Sequence, residues 1–268
     1  MSNKKDNLGN RMKRYEQASK THLVRRVPAI LRIDGKSFGS FCKRFTKPYD
    51  EIFNKAMADA MFLLCKKIQG ARFGERHSDE ISILLWDADT IKTDAFFDYE
   101  VQKIVSIVAG WATGAFCKSL FGATTIYAPE EDYLTLGEDW PTVDCRVFNI
   151  PENEVGNYFW WRITDAVRNS IQGLAQQHFS HKELHKKNQK DMHEMLYQKG
   201  LNWADLPQEQ KSGMICSKKS KPYTIPKGIK AGQTINRMEW LIKASPKTRQ
   251  ALNNIPIIEA FEGRILND

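Results

Sequence analysis

The sequence predicts an α+β fold, in which a ferredoxin-like β-α-β-β-α-β unit with an antiparallel sheet is followed by a mainly helical region. Four short segments have the apolar, β-branched composition of strands. Two longer segments repeat apolar residues at helical spacing. The two kinds of segment alternate in the order that is typical of a split β-α-β unit.

The first half of the unit starts with a buried strand at Val27–Asp34. Asp50 is predicted to be the N-cap of a helix that ends at Gly70, because apolar residues recur there every three or four positions. Two further strands are predicted at Ala71–His77 and Ile81–Trp86. A tight turn is expected to join them.

The second half adds a helix at residues 98–121 and a strand at Val143–Ile150. Short connections and right-handed crossovers place the third strand between the first and the second, antiparallel to both. The end of the first strand then lies beside the hairpin, so Asp34 and Asp79 come together. Two carboxylates at one edge of a sheet can share a divalent metal, as phosphoryl and nucleotidyl transfer require.

Residues 151–268 are expected to be an elaboration packed on the catalytic unit of residues 1–150. The predicted elements are helices at 154–178 and 182–199, a loop at Asn202–Pro207, a Lys-rich segment, and a last helix through Met238–Ala244.

The composition is that of a globular protein, with 41% hydrophobic and 27% charged residues in 268. The polar N-terminus is followed by no apolar run, so we expect neither a signal peptide nor a membrane span. The five cysteines are far apart and form no Cys-x-x-Cys pair. That pattern argues against a disulfide framework and a structural zinc site, and it favours a cytoplasmic location.

The positive charge is concentrated in one segment. The net charge is +8, and residues 211–230 contain six lysines and no acid. One interpretation is a solvated, mobile loop, which Pro222 and Gly228 also suggest. The other is an arm that lies along phosphates, in which Lys218, Lys219 and Lys221 make the contacts.

Asp34-Gly35 has two interpretations. After an apolar run the pair is typical of a two-residue hairpin turn. However, the following segment, Lys36–Phe41, is not an alternating return strand. Its glycine and its two serine hydroxyls suit a backbone that approaches phosphates closely. The Gly35 carbonyl could join Asp34 as a hard oxygen ligand of Mg²⁺.

The segment His77-Ser78-Asp79 contains the residues of a hydrolase triad, but the side chains of adjacent residues diverge and cannot form one. Alone, Asp79 could simply bond the backbone of its own turn. Its expected pairing with Asp34 favours a metal ligand instead. Glu80 is either a further catalytic ligand or a neighbouring charge.

Taken together, these motifs resemble the tRNA-His guanylyltransferase family, and more narrowly its Thg1-like 3′→5′ polymerase branch. The residues that carry the resemblance are Arg32-Ile33-Asp34-Gly35-Lys36-x-Phe38, Lys47-Pro48-x-Asp50, Ser78-Asp79-Glu80, Asp144-x-Arg146-Val147 with Pro151, and Trp161-Arg162-x-x-Asp165 with Asn169. They occur in family order through residues 30–170. Each alone is a weak signal, whereas the set is specific.

The resemblance implies a polymerase-type palm that binds two Mg²⁺ ions and extends tRNA at its 5′ end, with ATP for activation and GTP or another nucleoside triphosphate for addition. It implies Asp34, the Gly35 carbonyl and Asp79 as metal ligands. The implied nucleotide-binding residues are Asp34, Gly35, Lys36, Ser37, Phe38, Gly39, Lys47, Ser78 and Asp79. Arg162 is a candidate contact to RNA. A homotetramer is expected by the same resemblance.

The chain departs from the family after the Trp-Arg helix. Where eukaryotic guanylyltransferases have His-Ile-Asn-Asn-Leu-Tyr-Asn, it has Val167–Gly173, which keeps one asparagine. The departure favours template-dependent repair of 5′-truncated tRNA over untemplated guanosine addition to tRNA-His. Tyr49 also replaces a family asparagine, so contacts near the triphosphate are expected to differ.

Two other functions remain open from the sequence. A nucleotide cyclase uses a similar palm and acid pair, but the Gly-Gly-(Asp/Glu)-(Glu/Asp)-Phe hairpin of cyclic-dinucleotide synthases is missing. A non-catalytic RNA-binding protein could keep the palm for its shape. The intact acids at Asp34 and Asp79 speak against that interpretation.

Overall fold

The computed structural model describes residues 7–127, 140–226 and 232–262. Within these ranges six strands form one sheet with the order β4-β1-β3-β2-β5-β6. The strands are β1 (Ala29–Gly35), β2 (Ala71–His77), β3 (Glu80–Leu85), β4 (Val143–Asn149), β5 (Met214–Thr224) and β6 (Thr234–Ala244). Every neighbouring pair is antiparallel.

The first four strands confirm the predicted fold. β3 lies between β1 and β2 and is antiparallel to both, while β4 pairs with the outer side of β1. The predicted strand and helix boundaries in this half differ from the observed ones by a few residues, except for β2, whose limits agree.

The helices are α1 (Leu8–Gln17), α2 (Phe38–Phe41), α3 (Glu51–Lys67), α4 (Val101–Tyr127), α5 (Val155–His178), α6 (His181–Leu184), α7 (Gln189–Gln198), α8 (Gln208–Ser212), α9 (Arg249–Asn253) and α10 (Pro256–Glu262). Asp50 caps α3 as predicted, because its carboxylate accepts the amide hydrogen of Phe53 at 2.8 Å.

The sheet is covered differently on its two faces. Ala29, Leu31 and Ile33 of β1 lie in one core cluster with buried residues of α3 and α4. Ile30 points the other way, into a second cluster with residues of α5 and α10. Because side chains alternate along a strand, Arg32 and Asp34 share the α5 face with Ile30.

Helix α4 is the longest of the described helices. Its segment Val101–Gly122 is long and apolar enough to cross a membrane, judged by length and composition alone. In the structure it packs against α3 and β4, and Ile104, Val108 and Phe116 are buried in the core.

Two predictions for the C-terminal half are wrong. The Lys-rich segment is not a loop over its described part, since residues 214–224 form β5. The expected helix at Met238–Ala244 is instead the second half of β6, which pairs with β5 over eleven residues. Met, Glu, Leu and Ala in that segment favour a helix locally, but pairing with a distant strand overrides this preference. Lys227 and Lys230 lie outside the described residues.

The predicted helix at 182–199 is divided into α6 and α7. Ser180 begins α6 and Asn188 begins α7, each with a capping box that satisfies backbone amides at a new helix start. The predicted loop at Asn202–Pro207 contains a short 3₁₀ turn at Trp203–Asp205. The described residues after 150 thus form several helices and also contribute two strands, β5 and β6, to the common sheet. The division at residue 150 stays a prediction.

Candidate active site

Asp34 and Asp79 lie at the same edge of the sheet. Asp34 is the next-to-last residue of β1, and Ile33 pairs with Ile81 of β3. Asp79 is in the two-residue turn that joins β2 to β3, where Ser78 takes a left-handed conformation with φ of 48°. The Asp34 carboxylate contributes to raising the pKa of Asp79, so the two acids act on each other.

The pKa values of both acids are higher than that of an ordinary aspartate. Burial is the main cause of the raised pKa of Asp34, and the charge of Glu80 adds to it. Arg32 and Arg146 work in the opposite direction, and Arg146 lies 3.6 Å from the Asp34 carboxylate. Burial also raises the pKa of Asp79, which hydrogen bonds from its own amide and Ser78 partly offset.

Glu80 differs from the two aspartates because both its oxygens are engaged by the protein. One oxygen forms an ion pair with Arg32 and the other with Arg162. The second oxygen also lies 3.1 Å from Nε2 of His77. These contacts fix the base of the hairpin that carries Asp79. They indicate that Glu80 holds the hairpin in place.

Arg162 is the central cation of this network. Its side chain is 3% exposed, it bonds Glu80, and it lies 3.3 Å from the carboxylate of Asp165. The ring of Trp161 covers it, with the guanidinium carbon 4.5 Å from the ring centroid. The sequence suggested Arg162 as a contact to RNA. Its position inside the protein instead suits the support of Glu80.

The segment after Asp34 turns sharply back into the core. Ser37 is left-handed with φ of 56°, and the Lys36 amide donates to the carbonyl of Thr142 at 2.8 Å. Phe38 is buried in an aromatic cluster, so only its backbone could reach a ligand. Lys36, Ser37 and Gly39 are exposed, as a phosphate-binding segment requires.

Gly35 is needed for this turn. A Cβ atom at this position would overlap the ring of Phe38, whereas one at Gly39 would meet no atom within 4 Å. We expect Gly35→Ala to lower the free energy of unfolding by about 1 to 3 kcal/mol through overpacking. Gly39→Ala is the matched control and should change it by less than about 1 kcal/mol. Urea unfolding of both variants measures the difference, and equal stabilities would contradict this account of Gly35.

A cavity of about 220 Å³ opens beside the hairpin. Lys47 and Ser78 line it, as does Tyr49, whose hydroxyl donates to the carbonyl of Ser170 on α5 at 3.3 Å. Asn169 and Gly173 of the same helix complete that wall. The structure therefore brings the predicted residues Lys47 and Ser78 to one cavity, next to Asp79.

The predicted lysine contacts lie elsewhere. Lys218, Lys219 and Lys221 are exposed on the part of β5 that extends beyond β2. Met214 pairs with Arg76 near the hairpin, so these lysines are roughly 13 to 23 Å farther along the strand. Lys221 also forms an ion pair of 3.3 Å with Glu239. Because side chains alternate along a strand, Lys219 and Lys221 lie on one face of the β5–β6 ribbon and Lys218 lies on the other.

Sequence reasoning missed several residues of the site. Arg32 and Arg146 face Asp34, and Arg76 and Asn54 line the cavity. Charged residues inside otherwise apolar strands were the available signal, because such residues are rarely buried without a partner. Their direction, however, depends on which face of the sheet each one occupies.

Comparison with known proteins matches this geometry. The model of the family described as Thg1, tRNAHis guanylyltransferase, matches residues 9–151, which is more than half of the chain. The chain belongs to the tRNA-His guanylyltransferase (Thg1) family. Members of this family are nucleotidyltransferases that act on tRNA, and the expected recognition, fold and enzyme class are confirmed.

This Thg1 family chain is also similar to individual proteins over most of its length. A bacterial tRNA(His) guanylyltransferase (Thg1)-like protein in complex with ATP has 34% identity, covers 95% of this chain and 98% of its own, and superposes with a TM-score of 0.77. A second structure, of a bacterial tRNA(His) guanylyltransferase (Thg1)-like protein in complex with GTP, has 32% identity, the same coverages and a TM-score of 0.73. The uncharacterized protein R259 of Acanthamoeba polyphaga mimivirus is 30% identical over 226 residues, 79% of this chain and 77% of its own.

Proposed function

We propose that the protein is a Mg²⁺-dependent 3′→5′ nucleotidyltransferase that repairs 5′-truncated tRNA by template-dependent addition. The observation that carries the proposal is the pair of half-buried carboxylates at Asp34 and Asp79, which lie at one edge of the sheet next to a cavity lined by Lys47 and Ser78. In this proposal the 5′-monophosphate of the tRNA attacks ATP, which transfers AMP to it and releases pyrophosphate. The 3′-hydroxyl of GTP or another nucleotide then attacks the activated 5′ phosphate, and AMP leaves.

The residues at this edge fit magnesium. Asp34, Asp79 and the Gly35 carbonyl are hard oxygen donors, which this ion prefers. Burial is the main cause of the raised pKa values of the two acids, and neighbouring carboxylates add to it, so a bound cation would favour the charged form of both. Within the described residues no cluster of three acid, histidine or cysteine side chains forms a closed metal cage. Magnesium in transferases commonly uses one or two carboxylates and completes its shell with water and substrate phosphates.

Bound Mg²⁺ would supply charge neutralisation at the transferred phosphate and acidify the attacking hydroxyl. The protein's own residues do the rest by positioning. Lys47 offers a cation to the triphosphate from the wall of the cavity. Glu80 and Arg162 hold the hairpin, so Asp79 keeps its place opposite Asp34. No side-chain nucleophile is required.

The nucleotide part of the proposal is supported by the relatives. The two bacterial Thg1-like proteins were solved in complex with ATP and with GTP. Their likeness covers 95% of this chain. We therefore assign ATP and GTP or other nucleoside triphosphates as substrates.

The wall formed by α5 favours template-dependent addition. Asn169, Ser170 and Gly173 line the cavity where the eukaryotic segment has three asparagines. The Ser170 hydroxyl already accepts the indole N–H of Trp203 at 3.0 Å, and Gly173 has no side chain. Fewer amide groups are thus left to read a base edge. Pairing with the opposite strand would then select the nucleotide.

The basic ribbon formed by β5 and β6 is assigned to RNA. Lys218, Lys219 and Lys221 are exposed on it, and Arg237 stacks 5.3 Å above the ring centroid of Tyr223. Exposed cations combined with an aromatic ring suit a nucleic-acid backbone and its bases.

The five cysteines are free in the structure, which suits the proposed cytoplasmic location. A homotetramer is also proposed.

The proposal is tested with a panel of tRNAs that lack one, two or three 5′ residues. Purified protein, magnesium, ATP and one labelled nucleotide at a time should extend each tRNA only when the nucleotide pairs with the facing base. Guanosine added regardless of the facing base would support guanosine addition to tRNA-His instead. Absence of extension even on 5′-triphosphorylated RNA would refute the enzyme function.

Magnesium and pH should act together on stability. Burial raises the folded-state pKa of Asp79 above the ordinary 3.8, so the folded protein binds the proton more tightly than the unfolded chain. The stability that protonated Asp79 contributes is therefore present at low pH and is lost as the pH rises through the folded-state pKa. We expect metal-free Asp79→Asn to melt at a higher temperature than metal-free wild type at pH 7, with the difference vanishing near pH 3. Added Mg²⁺ should raise the melting temperature of wild type only. Scanning fluorimetry at several pH values measures both effects, and equal magnesium shifts in the two proteins would contradict them.

A further inference from the structure

Arg76 is a buried cation on the wall of the cavity. It lies on β2, its side chain is 2% exposed, and it lines the 220 Å³ cavity together with Lys47. On the adjacent positions of the same strand, Glu75 and His77 face α5 and the Glu80 network. Because side chains alternate along a strand, Arg76 points to the opposite face, toward α3.

The guanidinium of Arg76 has neutral partners. Both terminal nitrogens donate to Oδ1 of Asn54 at 3.1 Å, and one also donates to the carbonyl of Ser78 at 3.4 Å. Its Nε has no hydrogen-bond partner among the described residues. Glu75 and Glu209 act on Arg76 from a distance, but neither forms an ion pair with it in the described parts of the chain. A buried charge without a counterion is costly.

Among the described residues, neither acid of the cavity wall forms an ion pair with Arg76. Asp50 is the buried acid in the wall, but its oxygens accept the amide hydrogens of Phe53 and Thr46. Glu209 is exposed to solvent. Lys47 adds a second positive charge. The wall of the cavity therefore presents Lys47 and a fixed guanidinium without an ion-pair partner, two cations that a negatively charged group could contact.

We propose that Arg76 binds a phosphate of the nucleotide that occupies this cavity. The inference rests on the proposed function for the identity of that nucleotide. Arg72 on the same strand differs from Arg76, because it faces the carboxylate of Asp89. The planar fork of Arg76 is instead held by Asn54, whose amide nitrogen donates to the Asp50 carbonyl at 2.8 Å. One terminal nitrogen makes a single hydrogen bond within the described part of the chain, so it keeps a second N–H that could donate to a phosphate oxygen.

The test compares ligands that differ in phosphate number. Binding of GTP, GMP and guanosine is measured by calorimetry for wild type, Arg76→Gln and Arg76→Lys, without tRNA. We expect Arg76→Gln to bind GTP at least tenfold more weakly while its affinity for guanosine is unchanged. Arg76→Lys should recover part of the loss because it keeps the charge. Arg72→Gln is the matched control and should bind GTP as wild type does.

The outcomes separate the possible roles. Unchanged GTP affinity in Arg76→Gln would overturn the proposal, and so would an equal loss for GTP and guanosine, which would indicate contact with the base or a structural role. If Arg76→Gln does not fold, the alternative experiment measures whether inorganic tripolyphosphate competes with GTP for binding to wild type and to Arg76→Lys. Absence of competition would overturn the proposal. Because no step requires nucleotide addition, the result is independent of whether tRNA is extended.

Discussion

Asp79→Asn is expected to reduce 5′ nucleotide addition by about 10³-fold or more. The substitution keeps the size of the side chain and an oxygen for the turn, but removes the charge that would hold magnesium opposite Asp34. Single-turnover addition of labelled GTP to a 5′-truncated tRNA measures the effect. The proposal that the two acids form the metal site predicts a similar loss for Asp34→Asn.

The control for this experiment is Asp94→Asn. Asp94 is an exposed residue of a loop, so its substitution should leave the addition rate within about twofold of wild type. Retention of more than a tenth of wild-type activity by Asp79→Asn would contradict the assignment. A loss that is accompanied by unfolding would instead be detected by the melting curve.

Arg162→Ala is expected to lower the free energy of unfolding by about 3 kcal/mol. The substitution leaves Glu80 next to Asp34 and Asp79 without one of its two arginine partners, and removing one member of a largely buried ion pair has a cost of this size. For a chain of this length the melting temperature should fall by roughly 6 to 12 °C. The activity should fall as well, because Glu80 would no longer fix the hairpin.

Arg168→Ala provides the matched comparison on the same helix. Arg168 also pairs with an acid, Asp165, but its side chain is 61% exposed. Exposed pairs of this kind contribute less than about 1 kcal/mol. Thermal unfolding of the two variants therefore tests the role of burial directly. Similar stabilities would show that Arg162 is not the support of the hairpin.

The sequence predicted the part of the fold whose signals are local. Asp50 was recognised as a cap because a carboxylate before an apolar periodic run has few other uses. The limits of β2 followed from its composition and the turn after it. Topological rules then brought Asp34 and Asp79 together without any side-chain detail.

What the sequence did not predict depends on contacts between distant segments. The second half of β6 was predicted to be a helix, because its pairing with β5 is not visible within the segment itself. The direction of Arg76 and the burial of Arg162 depend on which face of the sheet or helix meets a neighbour. The cavity requires α3, α5 and the hairpin to be in place together. No periodicity within one segment contains that information.

The pairing of β2 with β5 ties the chemistry to the far end of the chain. Phe73 to Arg76 bond to residues 214–217, so a fragment that ends at residue 150 would leave β2 as an open border of the sheet. Such a border attracts other chains, and the turn with Asp79 would lose its lateral support. Changes in β5 that would alter the proposed RNA contacts are consequently constrained, because the same strand supports the hairpin that carries Asp79.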